Sequence, residues 1–217
     1  MLFSKNPDLF LPGKWPSYFE KSKGCKIWDL DGNCFSDLSF MGVGTNSLGY
    51  AHPYVEKKVI ETIKKGSMTT LNSIEEIKLA ERLIELHPWA DMARFTRSGG
   101  EANSVAIRIA RASSGKDNVA VCGYHGWHDW YLASNIGDSN NLKKHLMNNV
   151  PIEGVPKSLK ETVFPFEYNN IKQLEELITK KKIGVIKMEV RRDFEPKNNF
   201  LKKVREIANK KNIVLIF

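Results

Sequence analysis

The sequence has few cysteines and no pattern among them. Cys25, Cys34 and Cys122 stand singly in or beside apolar stretches, without the paired spacing that a zinc site or a redox motif needs. That argues against a disulfide framework and for reduced thiols in a cytoplasm. No apolar run reaches membrane-spanning length, and the first residues lack the basic start and long apolar core of an export signal. A soluble, cytoplasmic protein with no membrane partner is therefore expected. Internal repeats and low-complexity linkers are missing too, so the 217 residues hold one good-sized core or one to two domains, at roughly 150 residues each.

Concentrated charge is the next absence. Lys and Arg number 33 against 25 Asp and Glu, a net charge of +8, but the basic residues are dispersed as Lys57-Lys58, Lys64-Lys65 and Lys202-Lys203. The longest run, Lys180-Lys181-Lys182, falls at an expected helix end, where cations suit the dipole. A solvated surface is expected, with no nucleic-acid partner.

What is present is ordered α/β patterning. Residues 1–22 are polar and punctuated by Pro7, Pro12 and Pro16, which predicts an extended arm with little regular structure. Strands at 26–30 and 34–38 flank Asp31-Gly32, a strong hairpin signal. Residues 40–46, with Gly42 and Gly44, read as a loop. His52-Pro53 opens a helix with Val55, Val59 and Ile63 on one stripe, ended by Gly66. Ser73 and Glu76 form a capping box for a second helix through Ile77, Ala80 and Ile84, which stops before Pro88. Residues 134–165 keep no period and include Pro151 and Pro156, as a functional loop or lid would. Beyond them come a helix at about 171–181, a strand at 183–190, a helix at about 200–210 and a strand at 213–217. Such alternation predicts a mostly parallel sheet.

The chain is organised around residues 95–129. They read as a strand beginning at 94–96, a glycine turn, a helix, a strand at 118–122 and an aromatic-histidine loop. Ala102, Val105, Ala106, Ile109 and Ala110 recur at helical spacing and predict one narrow apolar face. The helix opens on Ser98-Gly99-Gly100-Glu101, where glycines let the backbone approach a ligand and free N–H groups favour an anion such as phosphate. The same four residues also suit a plain strand-to-helix turn, with Ser98 as N-cap and Glu101 completing a capping box. The strand at 118–122 runs into Gly123-Tyr124-His125-Gly126-Trp127-His128-Asp129. In a parallel sheet both loops leave the carboxyl edge, where ligands bind.

With Arg94-Phe95, the turn Ser98–Ala102, residues 106–112, Tyr124-His125-Gly126 with Asp129, and Leu48-Gly49-Tyr50-Ala51-His52-Pro53 upstream, the sequence resembles the class III pyridoxal-phosphate aminotransferases. Within them it is similar to the glutamate-1-semialdehyde aminomutase-like branch, over nearly the whole chain. The resemblance implies the PLP-dependent transferase fold (fold type I), with an arm and β-hairpin over 1–50 and an incomplete large cofactor-binding domain over 51–217. It implies pyridoxal 5′-phosphate as cofactor, a small-molecule amino donor and carbonyl acceptor, and a homodimer at full length.

Carried over residue by residue, Ser98, Gly99 and Gly100 would hold the cofactor phosphate. Many relatives have threonine where Gly100 stands, so the backbone contacts would carry more. Tyr124 would stack on the pyridine ring. His125 would orient substrate or cofactor, although a satisfied core histidine is the competing reading for it and for His128. Glu189 stands where relatives have a Glu-Pro pair, here followed by Val190, and Asp193 in Arg191-Arg192-Asp193-Phe194 is a further candidate. The family's Schiff-base lysine is expected beyond Phe217, and mid-strand Lys187 is not nominated for it. No catalytic residue is therefore expected within the chain, which reads as the amino-terminal half of a longer enzyme, inactive alone. A non-catalytic fragment or a basic binding module stays open. Aminomutases of the family carry a Ser-Pro-Val-Arg type segment where this chain has Gly13-Lys14-Trp15-Pro16-Ser17-Tyr18-Phe19, so intermolecular amino transfer is as compatible as the aminomutase reaction.

Overall fold

The computed structural model describes residues 7–11, 14–42, 44–66, 69–145, 151–191 and 193–217. The expectations placed on Pro12, Gly13, Arg192 and residues 1–6 and 146–150 lie outside the described residues. Two compact units form, Met1–Leu79 and Ala80–Phe217.

In the first unit the hairpin forms at Asp31-Gly32. Asp29 ties the turn together, its carboxylate accepting from the N–H groups of Asp31 and Asn33 at 3.0 and 2.8 Å and from the Asn33 amide at 3.0 Å. Strand β1 (Phe19–Lys23) pairs antiparallel with β2 (Lys26–Asp29), and β2 with β3 (Cys34–Ser36). Strand β1 corrects the expectation of an arm without regular structure. Its side chains are mostly exposed, so no apolar alternation marks it, and it is held by pairing to β2. Helix α1 (Pro53–Lys64) forms as expected, and its stripe of Val55, Val59 and Ile63 is exposed. Helix α2 (Ile74–Leu86) is capped by Ser73, with one change of partner. The hydroxyl accepts the Glu75 N–H at 3.2 Å and donates to the Glu75 carboxylate at 2.6 Å, where a box with Glu76 was expected. The nearer carboxylate captures the hydroxyl.

The second unit is doubly wound. Helix α3 (Gly99–Ser114) leads to β4 (Asn118–Cys122), the short helix α4 (Asp129–Leu132), β5 (Val163–Pro165), α5 (Ile171–Lys180), β6 (Ile183–Met188), α6 (Phe200–Lys211) and β7 (Val214–Ile216). The sheet order is β5-β4-β6-β7 and every pairing is parallel. Alternation along the strands divides the core. Val119, Val121 and Val185 pack with Ile107, Ala110 and Tyr131 on one face. Ala120, Cys122, Ile186 and Met188 pack with Leu174, Phe200 and Val204 on the other. Both faces being covered is why β6 is buried along its whole length. Each fully buried aliphatic side chain contributes about 1.5–3 kcal/mol of hydrophobic stabilisation.

Three expectations are corrected here. Residues 94–96 form no strand, because none of the four strands pairs with them. Val163–Pro165 forms β5 inside the stretch read as irregular. It is a three-residue edge strand ending in proline, which gives no period to detect. On α3 the buried residues are Ile107 and Ala110, whereas Ala102 and Ile109 are exposed. The docking face is turned toward Asn103 and Ile107 because the loop after β4 packs on the first turns of the helix.

Candidate functional site

The local sequence decides how α3 begins. Ser98 is extended (φ −145°, ψ 160°) and its hydroxyl oxygen accepts the Glu101 N–H at 3.3 Å, while the Glu101 carboxylate accepts the Arg97 N–H at 2.8 Å. The capping arrangement expected as the plain reading is made in part: Ser98 serves as N-cap, while Glu101 takes the Arg97 N–H where a capping box would take that of Ser98. It still leaves the Ser98 hydroxyl proton and the N–H groups of Gly99 and Gly100 without acceptors among the described residues. A Cβ added at Gly99 would meet nothing within 4 Å, so the cradle is open at that point. Three donors around an open turn at the positive end of a 16-residue helix suit a phosphate. The residues present fit that part of the cofactor.

The aromatic-histidine loop lies directly on this turn. Gly126 (φ +95°) approaches so closely that a Cβ there would stand 3.2 Å from the Gly100 Cα, and the Asn103 amide donates to the His125 carbonyl at 3.3 Å. His128 fills the space beside Gly100: a Cβ built on Gly100 would be 2.6 Å from the His128 Nε2. Its Nδ1 is 2.7 Å from the Ser104 Oγ.

Tyr124 is half-buried. Its ring meets Tyr131 edge to face at 6.3 Å, and its N–H donates to the Glu189 carboxylate at 3.1 Å. Glu189 follows β6 and its own N–H donates to the Cys122 carbonyl at 3.1 Å, which clamps the ends of β4 and β6 together. Gly123 (φ +100°) is the residue that permits this approach, since a Cβ there would fall 2.2 Å from the Glu189 carboxylate oxygen. Gly123 also donates its N–H to the His145 Nδ1 at 3.0 Å and accepts the Tyr131 hydroxyl at 2.7 Å. His145 is buried and carries no distinctive sequence context, so sequence reasoning passed over it.

His125 is placed beneath the loop. It is 2% exposed, its Nε2–H donates to the Cys122 carbonyl at 3.0 Å, and its ring stacks on Trp130 and meets the edge of Tyr131. That is the geometry of a histidine fastening the loop to the strand it leaves.

Two cavities flank these residues. One, of about 420 Å³, lies at the carboxyl edge among Cys122, Gly123, His145, Glu167, Glu189 and Asp193. Burial, with Glu189 and Glu167 nearby, pushes the Cys122 thiol up to about 12, so it is not a nucleophile at neutral pH. The other, of about 590 Å³, lies against α3 and is lined by Ser104, Arg108, Arg111, Trp127, His128 and Trp130. Glu189 belongs to the first cavity and His128 to the second, and both touch the glycine-rich loops between them. Lys187 is 6% exposed on β6, in register with Val121 and Ile216; burial lowers its pKa and Glu189 partly restores it. Among the described residues no cluster of His, Cys, Asp or Glu is arranged to hold a metal ion, and no helix is long and apolar enough to cross a membrane.

Comparison with known proteins gives the same family that the motifs suggest. The family model described as aminotransferase class-III matches residues 13–217. The chain is 32% identical over 98% of its length to 3-aminobutyryl-CoA aminotransferase of Cloacimonas acidaminovorans, covering 49% of that protein. To glutamate-1-semialdehyde 2,1-aminomutase of Sulfurisphaera tokodaii it is 37% identical over 94% of its length, covering 48% of that protein. The omega-transaminase structure from Sphaerobacter thermophilus superimposes with a TM-score of 0.77 at 28% identity, over 92% of this chain and 48% of that one. The chain thus spans about half the length of the relatives it matches.

Proposed function

Because the chain belongs to the class III aminotransferase family, whose cofactor is pyridoxal 5′-phosphate, we propose that it forms the cofactor-holding part of an enzyme that transfers an amino group from a small amine to a carbonyl acceptor. The observation that carries this reading is the packing of the Tyr124 loop onto the Ser98–Gly100 turn through Gly126, with Glu189 fixed to the Tyr124 N–H. It gathers an anion cradle, a flat aromatic ring and a carboxylate at one sheet edge.

When bound, pyridoxal phosphate supplies a carbonyl that takes up the amino group and a ring that draws electrons from the reacting carbon. The chain's own residues bind and orient. Ser98, Gly99 and Gly100 donate hydrogen bonds to the phosphate. Tyr124 stacks on the ring, held in place by Glu189 and by the edge of Tyr131. His125 positions this loop through the Cys122 carbonyl, and Asp193 lines the adjoining cavity.

The amine that the cofactor chemistry needs must be desolvated and aimed at the reacting carbon. Most lysines here are exposed. Among the described residues the buried lysine is Lys187, which lies on β6 two residues before the carboxyl edge is reached at Glu189. The chain alone is accordingly proposed to be inactive, with the reacting lysine supplied by a segment beyond Phe217, and the full-length protein to be a cytoplasmic homodimer. Incubation of the chain with pyridoxal phosphate, borohydride reduction and peptide mapping should give scattered lysine labelling without turnover. A single stoichiometric label at Lys187, accompanied by amino transfer, would overturn this assignment.

A further inference from the structure

Gly100 is the second residue of α3 and has no side chain to offer an anion at the helix start. The space that such a side chain would enter is occupied instead, because the His128 Nε2 stands 2.6 Å from where a Cβ would be. The imidazole is oriented from behind. Ser104, one helical turn further along α3, puts its Oγ 2.7 Å from the His128 Nδ1. Either group can be the donor in that bond, and where the serine hydroxyl donates to Nδ1 the proton sits on Nε2, the nitrogen that faces Gly100. The approach of Gly126 to the Gly100 Cα at 3.2 Å keeps the histidine's loop against the turn. An N–H donor is thereby held next to the free N–H groups of Gly99 and Gly100.

We propose that His128 is a phosphate-binding residue of this site, its Nε2–H taking the place of the side chain that Gly100 lacks. This inference rests on the cofactor reading above. It assigns the cradle four donor groups: the Ser98 hydroxyl, two backbone N–H groups and an imidazole delivered by a different loop. It also explains why Gly100 is a glycine at a helical position with ordinary backbone angles, where any side chain would collide with the imidazole.

The test is a titration of the 217-residue chain with pyridoxamine 5′-phosphate, and in parallel with pyridoxamine, followed by ligand fluorescence. Both ligands are amines and form no imine with surface lysines; they differ only in the phosphate. His128→Ala should weaken the phosphorylated ligand roughly tenfold or more and leave pyridoxamine unchanged. Gly100→Thr should also weaken it, through collision with the imidazole. The double variant Gly100→Thr/His128→Ala should recover most of the affinity lost in Gly100→Thr, because the collision is gone and a hydroxyl enters the vacated space; the loss in His128→Ala that is selective for the phosphorylated ligand is what a role confined to packing would not produce. Unchanged affinity of His128→Ala for pyridoxamine 5′-phosphate overturns the inference. So does an equal loss for both ligands. Failure of the unsubstituted chain to bind pyridoxamine 5′-phosphate overturns the cofactor reading itself and this inference with it.

Discussion

Gly123→Ala tests the link between Glu189 and the Tyr124 loop at its tightest point. Gly123 sits at φ +100°, where a non-glycine residue costs about 1–2 kcal/mol in strain. The added Cβ would also fall 2.2 Å from the Glu189 carboxylate oxygen, so the carboxylate must move away and release the Tyr124 N–H. A hydrogen bond to a charged group is worth about 1.5–3 kcal/mol. The expected loss of stability is therefore about 2.5–5 kcal/mol. Gly115→Ala separates the two contributions. Gly115 ends α3 at φ +64° and its Cβ would meet nothing within 4 Å, so only the backbone cost of about 1 kcal/mol applies. Urea unfolding of the two variants, followed by tryptophan fluorescence, should show a difference of about 1.5–4 kcal/mol, and only Gly123→Ala should weaken pyridoxamine 5′-phosphate. Equal losses in the two variants would refute the argument that Glu189 is held by this contact.

Three further outcomes follow from the same geometry. A thiol reagent at neutral pH should modify exposed Cys25 and Cys34 quickly and buried Cys122, with its thiol pushed up to about 12, only on unfolding; fast reaction of all three would contradict the packing of β4. Asp37 is held below the usual carboxylate range by hydrogen bonds from Ser39 and Tyr50, and Tyr50 is raised to about 12 by Asp37. The Asp37 contribution is full above its usual value of about 3.9 and is lost as pH falls through the lowered pKa, while that of Tyr50 is full below about 10 and is lost as pH rises toward 12. Thermal melts across pH should show both arms flattened in Asp37→Asn, and an unchanged profile would sink the pairing. Lys187→Met removes a desolvated charge and should stabilise the chain by about 1 kcal/mol at neutral pH, with the gain shrinking as pH rises toward about 10.4, where the unfolded lysine also loses its proton. A loss of stability would show that the ammonium is satisfied in place.

The sequence exposed those elements whose local chemistry and burial agree. Strand β4, with its boundaries at Asn118 and Cys122, was legible because four of its five residues are apolar and turn signals flank it. The hairpin turn was legible from Asp31-Gly32, and the N-cap of α3 from Ser98. Strand β1 was not, since it is exposed and exists only by pairing with β2. The docking face of α3 was displaced for a related reason. Periodicity assigns Ile109 to the core as readily as Ile107, and only the loop packed on Asn103 decides between them. The motif residues Ser98–Gly100, Tyr124 and Glu189 could be named in advance, but their coupling through Gly123 and Gly126 is a matter of close backbone approach, which spacing does not encode. His128 was noticed only as one of two histidines in the loop. Its position beside Gly100 needs the tertiary contact with Ser104.

In the proposed function the first turn of α3 and the loop after β4 together receive the cofactor. Amide ¹H–¹⁵N shifts followed during titration with pyridoxamine 5′-phosphate address it directly. Saturable shifts with one common affinity are expected at Gly99, Gly100 and Glu101 on the phosphate side and at Tyr124 and His125 on the ring side. Omitting the phosphate should abolish the shifts in the first group. Shifts confined to exposed lysine-rich helices, or absent from Gly99 and Gly100 at saturation, would contradict it.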